Sequence, residues 1–269
     1  MQEAKMKRSS VHRILKRDLN LFAYKIQTHQ PLSEASKAKR IEFANYVSDM
    51  AENSEIDFGD IWFTDEAHFY LDGFVNKQNW RFWGSTNPDI TESRSLYPKR
   101  ITVWAAISSK GIIGPFFIEE TVTSTRYKDI LQNFFIPALQ GMMESTDLES
   151  AWFQQDGARP HRTDEVFDVI SEHFGNRVMA LDYKEVNEEG IDWPPYSPDL
   201  NSCDFFLWGY LKDRVYTNRP RTILELKNAI SDEIESIPAE MFRKVAENFG
   251  HRIRHVIEIE GGHFEHVVT

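Results

Sequence analysis

The chain has one cysteine, Cys203, in 269 residues. An intrachain disulfide is therefore impossible, which excludes a disulfide-stapled secreted scaffold and a structural zinc site built from several cysteines. No apolar run approaches the ~18–20 residues that a membrane span needs. The first ten residues, MQEAKMKRSS, are polar and hold no apolar stretch, so no secretory signal is expected there and a reducing, intracellular setting is. There is no internal repeat and no low-complexity tract. With 41% hydrophobic and 27% charged residues, the composition excludes a disordered or collagen-like chain. The length suits one main domain of roughly 200 residues plus something small.

The formal net charge is -11, and it is unevenly placed. Residues 1–40 hold ten Lys/Arg against three acids, a balance of +7, and residues 41–269 carry -18. A basic arm on an acidic body is the reading. Such an arm serves either as a phosphate contact or as a solvated helix face. The acidic body disfavours a protein coated with nucleic acid. It is compatible with an enzyme that gathers carboxylates around metal ions.

Ser9-Ser10 followed by Val11, Ile14, Leu15 and Leu19 predicts a capped amphipathic helix over 9–21. Its other face shows His12, Arg13, Lys16 and Arg17. A second helix is expected from Ser33 to Met50, with 24–30 as linker. Strands are predicted at 61–64, 80–83, 101–108, 114–118, 152–155 and 178–181, and helices at 125–143, 162–174, 203–215, 222–236 and 238–259. Strands first, then alternation, then helices predicts an α/β domain with a mixed sheet and helices on both faces. A boundary is expected after residue 54, with the catalytic body at 55–269.

Two carboxylates share a context. Asp65 follows IWFT and Asp156 follows WFQQ, each a hydrophobic strand. Strand ends in α/β sheets are where ligand sites gather, and burying an unpaired charge is costly. Divalent cations with oxygen ligands offset that cost, and a pair of them can drive phosphoryl transfer. A single such Asp is better explained as a turn or helix cap. The pair weakens that explanation, and spacing alone goes no further.

A third block, WPPYSPDLNSCD (193–204), resembles the signature before the last catalytic carboxylate of mariner-like DNA transposases. In that family an acidic residue follows five positions after the Asp of SPDLN, here Asp204 after Asp199. FFLWGYLK (205–212), WFQQDGARPH (152–161), WFTDEAHF (62–69) and ITVWAAISSKGIIGPFF (101–117) are also family-like, in the family's order, across roughly residues 9–216. The resemblance implies a ribonuclease-H-like fold in which Asp65, Asp156 and Asp204 hold two Mg²⁺ ions, with Mn²⁺ able to substitute. It implies cutting of double-stranded DNA at transposon ends and joining of 3′-hydroxyls to target DNA. It also implies a homodimer and a nuclear location. The alternative is a domesticated derivative that binds DNA or assembles without transposing.

Two departures stand out. The second and third carboxylates are 48 positions apart, with the extra length in the acidic stretch 182–192, read as a surface insertion. The family's two N-terminal helix-turn-helix units are represented only by 9–21, which resembles a closing recognition helix. Arg13, Lys16 and Arg17 are its candidate DNA contacts. His161 is a further candidate, for phosphate or a metal-bound water. His68 is expected to be a hydrogen-bonded core or supporting histidine. Glu66 is left out of the metal shell because it points away from Asp65 on an extended strand. Cys203 and the tryptophans are expected to pack.

Overall fold

The computed structural model describes residues 13–18, 32–71 and 99–263. Contacts divide the chain into two compact units, 1–31 and 32–269. In the first unit, Ile14–Asp18 forms a π-helical turn, and Arg13 and Arg17 are exposed. The rest of the expected helix over 9–21, the linker 24–30 and the strand expected at 80–83 lie outside the described residues.

The larger unit is built on five strands: β1 (Ile61–Tyr70), β2 (Arg100–Ser108), β3 (Gly111–Ile118), β4 (Trp152–Gln154) and β5 (Val178–Met179). Their order is β3-β2-β1-β4-β5. The pairs β1–β2 and β2–β3 are antiparallel, and β1–β4 and β4–β5 are parallel. A two-residue turn, Ser109-Lys110, joins β2 to β3, whereas the parallel strands need crossover connections.

The helices are α1 (Glu34–Glu52), α2 (Ser124–Ile130), α3 (Ile136–Met142), α4 (Ser145–Ser150), α5 (Asp164–Phe174), α6 (Tyr183–Asn187), α7 (Trp208–Val215), α8 (Ile223–Glu235) and α9 (Ala239–Glu258). A π-turn, Leu131–Phe135, joins α2 to α3, and another, Cys203–Leu207, leads into α7. Ser33 caps α1 by accepting from the Ser36 amide at 3.1 Å, and Thr222 caps α8 by accepting from the Glu225 amide at 3.1 Å. Each cap satisfies an amide that has no partner within its helix.

Side chains alternate across the sheet. Phe63, Ala67, Phe69, Val103, Ala105 and Ile107 enter one core with α1, α7, α8 and α9. Trp62, Trp104, Ala106 and Phe153 enter a second core with α2, α3 and α5. The result is a mixed sheet with helices on both faces, a ribonuclease-H-like α/β fold as the sequence implies. The larger unit takes in α1, which the sequence reading grouped with the N-terminal segment. Phe43, Ala44 and Val47 of α1 are buried in the first core.

β1 is longer than expected. The sequence reading ends it at Thr64, but its pairing with β2 runs on from Phe63↔Ile107 to Tyr70↔Arg100. Asp65 is thus a mid-strand residue. The apolar alternation at Ala67 and Phe69 carries the strand past the two acids. The acidic stretch 182–192 folds into α6, anchored by fully buried Tyr183, whose hydroxyl donates to the Gly175 carbonyl at 2.8 Å.

Candidate metal centre

β1 and β4 pair in parallel up to Phe63↔Gln154. Asp65 and Asp156 each stand two residues further on, so the register brings both carboxylates to the place where β4 ends. The chain turns there through Asp156, whose Oδ1 accepts from the Ala158 amide at 3.0 Å. At Gly157 the Leu181 side chain packs close to the turn: a Cβ there would lie 2.6 Å from Leu181 Cδ2 and would push that methyl aside. The capping explanation of Asp156 is therefore correct as far as it goes, and it leaves Oδ2 out of the cap.

Asp204 arrives on the π-turn that opens α7, and the preceding SPDLN run holds it in place. Arg40 of α1 forms a two-pronged pair with Asp199, Nη1 to Oδ1 at 2.7 Å and Nη2 to Oδ2 at 2.6 Å. Its remaining donors reach Ser197 Oγ at 2.7 Å and the Gly261 carbonyl at 2.9 Å. Asn201 donates to the Thr64 carbonyl at 3.2 Å and accepts from the Cys203 amide at 2.9 Å. The residue before Asp65 is thus tied to the residue before Asp204. Cys203 packs as expected, fully buried, its thiol donating to the Phe63 carbonyl at 3.3 Å.

On β1, Asp65 faces the α7 side, and Trp208 Nε1 donates to its Oδ2 at 2.7 Å. Glu66 faces the other side, as alternation demands. There its Oε1 lies 3.3 Å from His161 Nε2, and His161 Nδ1 lies 2.7 Å from Asp156 Oδ1. These are ion-pair distances without hydrogen-bond alignment, since neither Glu66 Oε1 nor His161 Nδ1 meets a partner in line. The distances are the firmer guide to the electrostatics, because charge attraction depends weakly on alignment. Tyr127 stacks on the imidazole at 3.9 Å and donates to Gln155 Oε1 at 3.0 Å.

The charge balance is unusual. Burial and repulsion by Asp204, Glu66 and Asp156 raise the Asp65 carboxyl well above its ordinary range, only partly relieved by Trp208. Burial and Asp156 push Asp204 up to about 7, against the pull of Lys212. The Asp204 side chain touches solvent, yet the surrounding protein displaces most of the water beyond it. Burial opposes ionisation of Asp156, but His161, the Ala158 amide and Arg162 outweigh it and hold that carboxyl low. Burial also opposes charge on His161, and Glu66 with Asp156 overrides it, raising the imidazole to about 10. Burial lowers the Lys212 amine.

Asp65 thus feels the charge of Asp204 and Asp156, and Asp204 that of Asp156. The structure places His161 at 2% exposure between two carboxylates, stacked under Tyr127 and not presented on a surface. His68 hydrogen-bonds Thr102 Oγ1 at 2.9 Å. Sequence reading missed Trp208 and Lys212, which follow Asp204 by four and eight positions. It also missed the Arg40–Asp199 pair. The first two could have been found from helical spacing; Arg40 lies 159 positions from Asp199 and leaves no local signal.

Among the described residues no three of His, Cys, Asp and Glu close around an ion as they stand. The donor chemistry nevertheless fits a hard divalent cation: carboxylate oxygens that repel one another, no thiolate among them, and water within reach. A divalent cation would supply the charge that this cluster lacks.

A ribonuclease-H-like sheet with one carboxylate within β1, one just past the end of the neighbouring parallel strand β4 and one on the turn into a following helix defines the class. The chain belongs to the DDE superfamily endonucleases, which it matches over residues 60–227. Its likeness within them is to mariner-like transposases. It is 27% identical to the Tc3 transposase of Caenorhabditis elegans over 92% of this chain and 69% of that one. A pre-cleavage Mos1 transpososome superposes with a TM-score of 0.78 at 17% identity, over 96% of this chain and 72% of that one. The Mos1 catalytic domain solved with Raltegravir and Mg gives 0.65 at 18% identity, over 88% and 100%.

Proposed function

We propose that the chain cuts DNA at transposon ends and joins the 3′-hydroxyls to target DNA, with Asp65, Asp156 and Asp204 holding two Mg²⁺ ions that Mn²⁺ can replace. The observation that carries this reading is the mutual repulsion of the three carboxylates, which leaves Asp65 and Asp204 with raised proton affinity. Such a cluster is costly for folding alone and suits metal binding. Solved complexes of the Mos1 relative that hold a transposon end, and others with Mg or Mn, support both the substrate and the metal.

Bound at these residues, a pair of divalent ions would activate a water or a 3′-hydroxyl and relieve charge on the leaving oxygen. The chain's own residues do the rest. Asp65, Asp156 and Asp204 supply oxygen ligands from three elements. His161 balances Glu66 and Asp156 and fixes the latter. Asn201 sets the distance between β1 and the Asp204 turn. Lys212 offers an ammonium near Asp204, where a DNA phosphate would arrive. Arg13, Lys16 and Arg17 add phosphate or groove contacts from the N-terminal segment. Double-stranded DNA, a homodimer that pairs two ends and a nuclear location complete the proposal.

The test is a joining assay. A short duplex with a free 3′-hydroxyl at the element end, a supercoiled plasmid and Mg²⁺ are incubated with the protein. Joined product that disappears in Asp65→Asn, Asp156→Asn and Asp204→Asn supports the reading. A folded, DNA-binding protein that neither cuts nor joins, with Mg²⁺ or Mn²⁺, leaves the domesticated scaffold in its place.

A further inference from the structure

Trp208 is 5% exposed and opens α7, four positions after Asp204. Its ring meets Phe69 edge-on, centroids 6.3 Å apart, so packing explains the bulk of the side chain. It does not explain the indole N–H. A buried indole N–H needs an acceptor, and here the acceptor is Oδ2 of Asp65 at 2.7 Å. Among the charged groups acting on Asp65, Asp204, Glu66 and Asp156 repel it, and Lys212 attracts it without a hydrogen bond between them in the structure. The indole therefore holds this carboxylate against its neighbours, and a hydrogen bond to an ionised acceptor is a strong one.

Placement on the helix adds a second link. The π-turn Cys203–Leu207 inserts a residue before α7, and the Trp208 amide bonds back to the Cys203 carbonyl. Such turns re-aim the residues that follow and recur at functional sites. The same turn presents Asp204 and delivers Trp208 to Asp65. One helix start thus carries one carboxylate and steers another.

We propose that Trp208 is a positioning residue for the metal centre, fixing Asp65 so that one carboxylate oxygen is spent on the indole and the other is aimed at the cation. This rests on the reading of Asp65 as a ligand. Mg²⁺ demands near-octahedral oxygen geometry and dehydrates reluctantly, so a carboxylate free to rotate weakens its binding. Loss of a group that orients a metal ligand costs roughly 10–100-fold in metal affinity or activity.

The experiment is calorimetric Mg²⁺ and Mn²⁺ titration of the full chain and of Trp208→Phe, which keeps a ring against Phe69 and removes the donor. Circular dichroism and a cooperative melt serve as fold controls. The expected result is Mg²⁺ affinity about 10-fold weaker in the folded variant, with a smaller loss for Mn²⁺. Wild-type affinity in the variant overturns the proposal and leaves the reading of Asp65 intact. No metal binding by the wild type, alone or with end DNA, overturns both. If Trp208→Phe does not fold, the wild-type indole proton decides by nuclear magnetic resonance. Displacement of the Trp208 Hε1 signal in step with Mg²⁺ binding supports the proposal, and a signal unmoved at saturation overturns it.

Discussion

Arg40 and Asp199 form a fully buried two-pronged ion pair, at 0% and 2% exposure, between α1 and the turn that leads to Asp204. Each charge is costly without the other. Arg40→Met leaves Asp199 unpaired, and breaking such a pair costs about 3–5 kcal/mol. The account predicts a loss of that order in urea unfolding. Glu34→Gln, which breaks the exposed Lys37–Glu34 pair at the start of the same helix, leaves the unfolding midpoint unchanged. Equal effects from the two variants would contradict the role given to Arg40.

Asp204 makes the metal-free protein sensitive to pH. Its folded carboxyl is raised to about 7, above the ordinary ~3.9 of an unfolded Asp. The folded state therefore binds the extra proton between those values, and stability falls as pH rises from about 4 to 7. Asp204→Asn is predicted to stabilise the metal-free protein at pH 8. Since the side chain touches solvent, the gain is discounted to on the order of 1 kcal/mol. It should vanish near pH 4. Mn²⁺ should stabilise the wild type at pH 8 and much less at pH 5.5, where the proton competes. Thermal melts at the three pH values check both statements, and a gain that grows toward low pH would contradict them.

His161 shares that pH sign, but its protonated form contributes stability where the ionised Asp204 costs it. Its imidazole is raised to about 10 between Glu66 and Asp156, so its stabilisation is fully present below about 6.5, the ordinary His value. It is lost as pH rises through 10. His161→Gln is predicted to cost about 3 kcal/mol at pH 6 and progressively less toward pH 9.5. Unfolding free energies at pH 6, 8 and 9.5 measure the slope. A pH-independent loss would mean that only the stacking on Tyr127 matters.

Asn201 makes two hydrogen bonds at the hinge of the site, one to each carboxylate-bearing segment. Asn201→Ala leaves the Thr64 carbonyl and the Cys203 amide without these partners, at about 2 kcal/mol together. Because the Asp204 turn then loses its tie to β1, DNA cutting should fall further than stability does. Cutting measured well below the unfolding temperature separates the two effects. Unchanged activity in a destabilised variant would limit Asn201 to a folding role.

The sequence shows most of the fold and singles out Asp65, Asp156 and Asp204 as candidates, and the reasons are local. Strands such as ITVWAAIS and helices such as α9 carry their periodicity in neighbouring residues. Asp65, Asp156 and Asp204 stand beside apolar strands or within a motif of fixed spacing. What the sequence hides depends on distant partners. Ala67 and Phe69 carry β1 past Asp65 by local alternation, but its pairing there with β2, Asp65 opposite Ala105, is not visible locally. The reason for Asp199 in SPDLN is Arg40, far upstream. Glu66 was correctly set aside from Asp65 by strand alternation, but nothing in the sequence shows that the opposite face would hold His161. The N-terminal basic residues are legible as charge, and Arg13, just before the turn Ile14–Asp18, and Arg17 within it are exposed.

The central claim is that these carboxylates make a metal-dependent DNA-cutting centre. Cleavage of a labelled duplex carrying the element's terminal repeat, with Mg²⁺ or Mn²⁺, tests it most directly when wild type is set against Asp156→Asn. Asn keeps the shape and removes the charge. The account predicts metal-dependent cutting by the wild type and a loss of at least about 100-fold in the variant. Cutting that persists in Asp156→Asn, or that needs no divalent metal, would contradict it.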